Sequence, residues 1–359
     1  MSGKEIKIAD RWIGGKHPTY FIADISANHD GDLKRARMLI RLAKEAGADA
    51  AKFQNFRAPK IVSDYGFKSL GGQLSHQAQW KKSVFEVYDD ASISFDWTPI
   101  LKETCDEVGI HYFSSPYDFE AVDMLEPYVP AYKAGSGLMS WPEMLVYMAS
   151  KNKPFLMATG ASDMGEVVAN TRAVLAVNAD VVLMQCNTNY TASDENFDHI
   201  NLNVLKSYAT VFPNVVLGLS DHTSGHATVL GAVALGARVI EKHFTDDTGR
   251  EGPDHPFSMD PDTWADMVAR THELERALGS TDKRVADNER DTLIVQRRCL
   301  RAAREIKAGE ILTREMIDVL RPASPGAIEP ARIDQALGTK VLEDVPFGEA
   351  LCWTMLGKP

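Results

Sequence analysis

The sequence predicts an α/β fold: a parallel (β/α)8 barrel of the TIM type followed by a small β-rich domain. Three observations predict it. Short aliphatic and β-branched runs alternate eight times with helix-length amphipathic segments over roughly 250 residues. Several of those runs stop at a polar cluster, as strands do at the functional rim of such a barrel. Beyond Gly279 the alternation ends, and a polar stretch leads into a tail of different character. A doubly wound open sheet is the runner-up, but no GxGxxG phosphate turn opens it.

The first strand is Thr19–Ile25, ending in Ser26-Ala-Asn28-His29-Asp30-Gly31. Asp32 caps a helix over Leu33–Ala46, where Met38, Leu39, Leu42 and Ala46 recur at helical spacing and Gly47 ends it. Ala50–Gln54 is the next strand. Asn55–Ser92 is long and mixed, and a connection of that length is usually functional or disordered. Helices over Ser94–Val108, Phe119–Tyr128, Trp141–Ser150, Gly165–Ala176 and Leu202–Tyr208 then alternate with strands at His111–Ser114, Ala131–Ala134, Pro154–Ala158 and Asp180–Gln185. Val215–Ser220 and Ala237–Lys242 are the last strands, joined by a helix over His226–Leu235 and followed by one over Pro261–Leu278. The domains expected are a barrel over 1–280, a linker over 281–297 and a small domain over 298–359. In the tail, Ala302–Leu312 and Val341–Leu351 share a glycine-glutamate turn before an aliphatic residue, a weak internal repeat.

Composition narrows the function classes. A chain of 359 residues with a net charge of −11 is a poor binder of nucleic acid or anionic membrane, and an anionic substrate would need local cations. Four cysteines lie scattered without CxxC spacing, which argues against a zinc knuckle or a disulfide framework. With no apolar leader or membrane-length run, a cytoplasmic location is expected.

His222 and His243 each lie where a strand stops. Neighbouring parallel strands bring two such residues to one rim, where a pair of imidazoles can hold a divalent metal. Lys52 and Lys133 sit at the ends of otherwise apolar strands, and burying them requires an anion. With Ser115, Ser136, Thr159 and Ser220 close behind, they read as a phosphate or carboxylate cradle. Asp24, Asp221, Glu241 and Asp254 are rim carboxylates whose roles spacing does not assign. Trp12, Trp80 and Trp97 read as packing residues.

Six segments together resemble the sialic acid synthase family. They are Ile22–Gly31, Ala51-Lys52-Phe-Gln54, Tyr132–Gly137, Gln185–Tyr190, Gly218–Thr223 and Val239–Thr245, with Gly252–His255 beyond them. The tail around Arg321-Pro322 resembles that family's antifreeze-like (SAF) domain. The resemblance implies a transferase that condenses phosphoenolpyruvate (PEP) with an open-chain, N-acylated hexose such as N-acetylmannosamine, giving a 2-keto-3-deoxy nonulosonic acid and phosphate. It implies a divalent ion, Mn2+ first with Mg2+ or Co2+ as alternatives, on His222 and His243. PEP contacts then match Lys52, Ser115, Lys133, Ser136, Thr188 and Ser220. Gln54, Tyr190 and Asp254 match substrate-binding positions, and Arg321 an arginine that covers the sugar from the opposite subunit of a domain-swapped homodimer.

Three departures from the family pattern stand out. Asp24 replaces a glutamate, Leu138 replaces the acid after Gly-Ser-Gly, and Ala158 and Ala323 replace a serine and a glycine. Asp24 is the expected substitute for the missing acid, making Asp24, Lys52 and Lys133 the catalytic candidates. Leu138 also favours a second reading, a diverged paralogue with a different carbon–carbon bond reaction or a sugar-binding role.

Overall fold

The computed structural model describes residues 3–357, so the outermost bounds of the two expected domains, 1 and 359, lie outside the described residues. Two compact units divide at Gly279 and Ser280. The first opens with a hairpin, β1 (Glu5–Ile8) and β2 (Arg11–Gly14), followed by β3 (Tyr20–Asp24), β4 (Ala50–Asn55), β5 (His111–Pro116), β6 (Tyr132–Ala134), β7 (Phe155–Ala158), β8 (Val181–Cys186), β9 (Val216–Asp221) and β10 (Ala237–His243). The eight strands β3–β10 form one parallel sheet in the order β5-β4-β3-β10-β9-β8-β7-β6. The β10–β3 ladder closes the sheet on itself, leaving β5 and β6 side by side at the seam. This is the expected barrel, nearly closed, with a helix following most strands.

Strand alternation divides the buried residues into two sets. Outward residues such as Phe21, Ala51, Phe53, Met157, Leu183 and Ile240 pack against the surrounding helices. Inward residues at the lower end of the strands are also apolar: Tyr20, Ile22, Ala50, Phe113, Leu156, Val182, Val216 and Val239 fill the barrel with Ile6, Ile8 and Ile13. The hairpin thus plugs the amino-terminal mouth. It was not anticipated, although Ile6 and Ile8 alternate with charged residues at strand period.

Caps define the helices. Asp32 accepts from the Lys34 amide ahead of Leu33–Glu45, and Asp163 with Glu166 closes a capping box at Met164–Leu175. The helix expected from Ser94 begins instead at Trp97. The stretch 56–92 is not a structureless loop: short helices at Ala58–Ile61, Asp64–Ser69 and Val84–Ala91 and a 3-10 turn at Ser75–Gln79 order it.

In the second unit, β11 (Cys299–Ala302) pairs antiparallel with β12 (Ile317–Leu320) over a small core of Leu300, Ile306, Ile317, Val341, Val345 and Leu351. Val345 and Ile306 bridge the two copies of the weak repeat. The stretch expected as a linker carries a short helix, Arg290–Val295. No helix among the described residues is long and apolar enough to cross a membrane.

Candidate active site

The inward positions change character at the carboxyl ends of the strands. Above the apolar filling, β3, β4, β6, β9 and β10 present Asp24, Lys52, Lys133, Ser220 and Glu241, each at least nine-tenths buried. Register sets the neighbours: Asp24 lies opposite both Lys52 and His243, and Glu241 opposite Ser220. Lys52 and Lys133 stand within their strands rather than at the ends expected for them, because the polar layer begins inside the barrel.

Each lysine has its anion. Lys52 Nζ donates to Asp24 Oδ2 at 2.6 Å and lies 3.9 Å from Glu241 Oε1, while Lys133 Nζ lies 2.8 Å from the same Glu241 oxygen. Burial raises the Glu241 pKa, but Lys133 and Lys52 outweigh it and hold the carboxyl at about 2. Burial likewise disfavours the Lys52 ammonium, and Asp24 and Glu241 reverse that, so its pKa is raised. The second Glu241 oxygen, Oε2, is buried with no hydrogen-bond partner. Two cations and an incompletely satisfied carboxylate therefore face a cavity of about 590 Å³.

Ser136, Thr188 and Ser220 also line this cavity. Thr188 Oγ1 donates to Ser136 Oγ at 2.9 Å, and Ser220 Oγ donates to Glu241 at 3.2 Å. Ser115 lies deeper, fully buried, with Lys52 Nζ 3.5 Å from its hydroxyl. Thr159 is turned away from the cavity, donating to the Met184 carbonyl at 3.0 Å. Gln54 donates to Asp24 at 3.3 Å. Gly160 is required here, since a Cβ on it would stand 1.9 Å from Thr188 Oγ1.

The histidines meet as expected, their rings 5.4 Å apart. His222 Nδ1 hydrogen-bonds the Asn187 carbonyl at 2.8 Å, so that nitrogen carries the proton and Nε2 keeps its lone pair. Burial, reinforced by the nearby His243, pushes the His222 pKa down to about 3, leaving the ring neutral. His243 Nδ1 is buried without a hydrogen-bond partner, 3.8 Å from Asp254, while Nε2 lies 3.6 Å from Asp24. A neutral imidazole fixed by a backbone carbonyl beside one with an orphaned nitrogen is a donor set that fits a divalent ion. Among the described residues no group of three or more His, Cys, Asp or Glu stands ready as a closed cage. An ion on this pair would complete its coordination with water or substrate.

The loops beyond β3 and β10 brace this side. Asn28 donates to the Phe244 carbonyl at 3.0 Å and to Ser258 at 2.9 Å, and Asp30 meets His255 at 2.9 Å. Asp254 is thereby held against Ser26 Oγ at 2.5 Å and the Ala27 amide at 3.1 Å. Tyr190 covers the pair, its ring 4.4 Å from His222. Asp221 requires a correction. It follows Ser220, so alternation sends it to the outer face of the barrel, where it accepts from Lys242 at 2.5 Å and Thr228 at 2.7 Å. It is a buried structural anion, not a rim carboxylate.

Lining residues that were not read as site residues include Tyr117, His76, Tyr88, Trp141 and Leu74. His76, Tyr88 and Leu74 come from the ordered stretch 56–92, whose mixed composition carried no periodic signal. Trp80 faces a smaller chamber beside the histidines rather than the core, and Trp12 is half exposed, while Trp97 packs against His29 as expected. Leu138 does face the cavity, presenting an aliphatic wall. Arg321 is exposed in the second unit.

With this geometry in view, residues 39–283 match the NeuB family and residues 297–357 the SAF domain. The chain belongs to the NeuB family. It is 34% identical to the human N-acetylneuraminate-9-phosphate synthase, over 93% of this chain and 92% of that protein. It is 35% identical to a Campylobacter jejuni pseudaminic acid synthase, over 92% of this chain and 95% of that one. The crystal structure of N-acetylneuraminic acid synthetase from Leptospira borgpetersenii superposes with a TM-score of 0.71 at 25% identity, covering 81% of this chain and 95% of that one. The resemblance read from the sequence segments is therefore borne out at the level of family and of the C-terminal SAF domain.

Proposed function

We propose that this NeuB-family chain condenses PEP with an open-chain hexose aldehyde, N-acetylmannosamine being the reference acceptor, to give a 2-keto-3-deoxy nonulosonic acid and phosphate. The observation that carries the reading is one cavity in which two buried lysines face two buried histidines. Lys52 and Lys133, with Ser136, Thr188 and Ser220, would hold the carboxylate and phosphate of PEP, and Ser115 would fix Lys52 from below. Glu241 lies against both ammonium groups and would offset their charge until the substrate arrives. His222 and His243 would hold the divalent ion, Mn2+ first with Mg2+ or Co2+ as alternatives, which supplies a Lewis acid for the aldehyde oxygen.

The bonds balance without a redox step. The methylene carbon of PEP forms a bond to the aldehyde carbon, water adds to the enol carbon, and the C–O bond to phosphate breaks. Leu138 offers no acid to this wall, so proton handling falls to Asp24, which lies between Lys52 and His243. Gln54, Tyr190 and Asp254 would orient the sugar, and Arg321 would cover it from a second copy in a domain-swapped homodimer.

The test is aldose-dependent phosphate release from PEP by Mn2+-loaded protein, across a panel of aldoses and N-acyl aldoses. Release with one or more sugars is expected; none with any would sink the reading. A second expectation concerns the cradle. Gly160→Ala must displace Thr188 and its bond to Ser136. At about 1–1.5 kcal/mol for one such hydrogen bond, the KM for PEP should rise roughly tenfold. An unchanged KM would remove Thr188 from the PEP site.

A further inference from the structure

The charges around the cavity bear on a property of the acceptor that family membership leaves open, whether it carries a phosphate. The polar floor ends at the lysines and histidines. Beside His243 a chamber of about 140 Å³ opens, lined by Phe56, Trp80, Val87, Tyr88, Tyr117 and Pro253, among others. Among the described residues, Asp254 is the one carboxylate on its wall, and no lysine or arginine lines it. His76 stands where this chamber meets the main cavity, its ring 5.0 Å from Tyr190 and 5.3 Å from Trp80. Its Nδ1 is buried without a hydrogen-bond partner, and burial lowers its pKa, so at neutral pH it offers a neutral donor or acceptor.

The cations farther out are engaged. Lys81 meets Glu251 at 2.6 Å, Lys82 meets Asp90 at 2.6 Å and Arg250 meets Asp30 at 2.7 Å, all around a groove on the outer side of Trp80. Such exposed pairs are weak individually, but a phosphate using them would have to replace three carboxylates. Lys60 lines the main cavity without an ion pair among the described residues, yet it is exposed and alone. Sugar phosphates are ordinarily held by several converging cations or amides. Aromatic faces, an aliphatic wall at Leu138, Leu74 and Ile61, and one unpaired neutral histidine suit a different ligand.

We infer that the acceptor is an uncharged aldose, and that the stretch 56–92 selects it. Trp80 and Tyr88 cover its apolar face or substituents, and His76 hydrogen-bonds one of its hydroxyl or amide groups. A phosphate entering the same chamber would meet Asp254 and, among the described residues, no lysine or arginine on the wall. This inference rests on the condensing reading above and adds the charge state of the acceptor and the residues that read it.

The experiment compares N-acetylmannosamine with its 6-phosphate under identical PEP and Mn2+ concentrations, using full-length protein. The expected result is a kcat/KM at least about tenfold higher for the uncharged sugar. An equal or higher value for the phosphate would overturn the inference while leaving the condensing reading intact. Turnover of neither, nor of any other uncharged aldose, would overturn both. His76→Arg places a cation at the junction and should move the ratio toward the phosphorylated sugar by about tenfold, and Trp80→Ala should raise the KM for the uncharged sugar with kcat less affected. An unchanged ratio and an unchanged KM in these two variants, each folded by circular dichroism, would remove the stretch from acceptor recognition and overturn the proposal.

Discussion

Lys133→Met should lose turnover by roughly 10²–10³-fold and also lower the melting temperature. Both effects come from one geometry. Lys133 Nζ lies 2.8 Å from Glu241 Oε1, with both side chains nearly inaccessible to solvent. Removing one member of a buried pair leaves the other charge uncompensated, at a cost of about 3–5 kcal/mol. Lys52 softens this, since it remains 3.9 Å from the same oxygen. The remaining lysine would then have to neutralise both Glu241 and the incoming PEP. A steady-state assay in PEP and a thermal melt check the two effects separately. Lys133→Met with Glu241→Gln separates them further: the double variant should regain much of the melting temperature and little of the turnover. Full activity in the single variant would refute the cradle.

Most of the barrel was legible because its strands are buried on both faces, and such strands read as continuous apolar runs broken by polar residues. β8, Val181–Cys186, is buried along its whole length, and its sequence declares it. The histidines were legible for the related reason that they stand where two of these runs stop. Glu241 was visible as a rim carboxylate, but not its pairing with Lys133. β6 and β10 are not neighbours in the sheet, so that contact exists only because the barrel closes. Asp221 was misread for want of the period-two rule: with Ser220 pointing inward, its successor must point outward. The stretch 56–92 was the least legible. Its short helices bury few residues and rest on the barrel's loops, so local periodicity had little to record.

His222→Ala and His243→Ala should each abolish metal-dependent turnover, with a loss of about 10³-fold or more, the range expected when the group that stabilises developing charge is removed. A purely structural histidine could also reduce activity on removal, so a second readout is needed. Mn2+ binding to the folded state alone stabilises by RT ln(1 + [L]/Kd), about 2.7 kcal/mol at a hundredfold excess over Kd. The wild-type melting temperature should therefore rise with added Mn2+ and fall with chelator, and neither variant should respond. The two variants should differ in their metal-free behaviour. His222 is tied to the Asn187 carbonyl at 2.8 Å, so its loss also frees the loop carrying Thr188 and Tyr190. His243 Nδ1 has no hydrogen-bond partner to lose. His243→Ala should accordingly keep the wild-type Kd for PEP, measured without metal, more closely than His222→Ala, while losing the Mn2+ shift as completely. A retained Mn2+ shift in both variants would move the ion elsewhere on the chain, and with it the assignment of the aldehyde's position in the cavity.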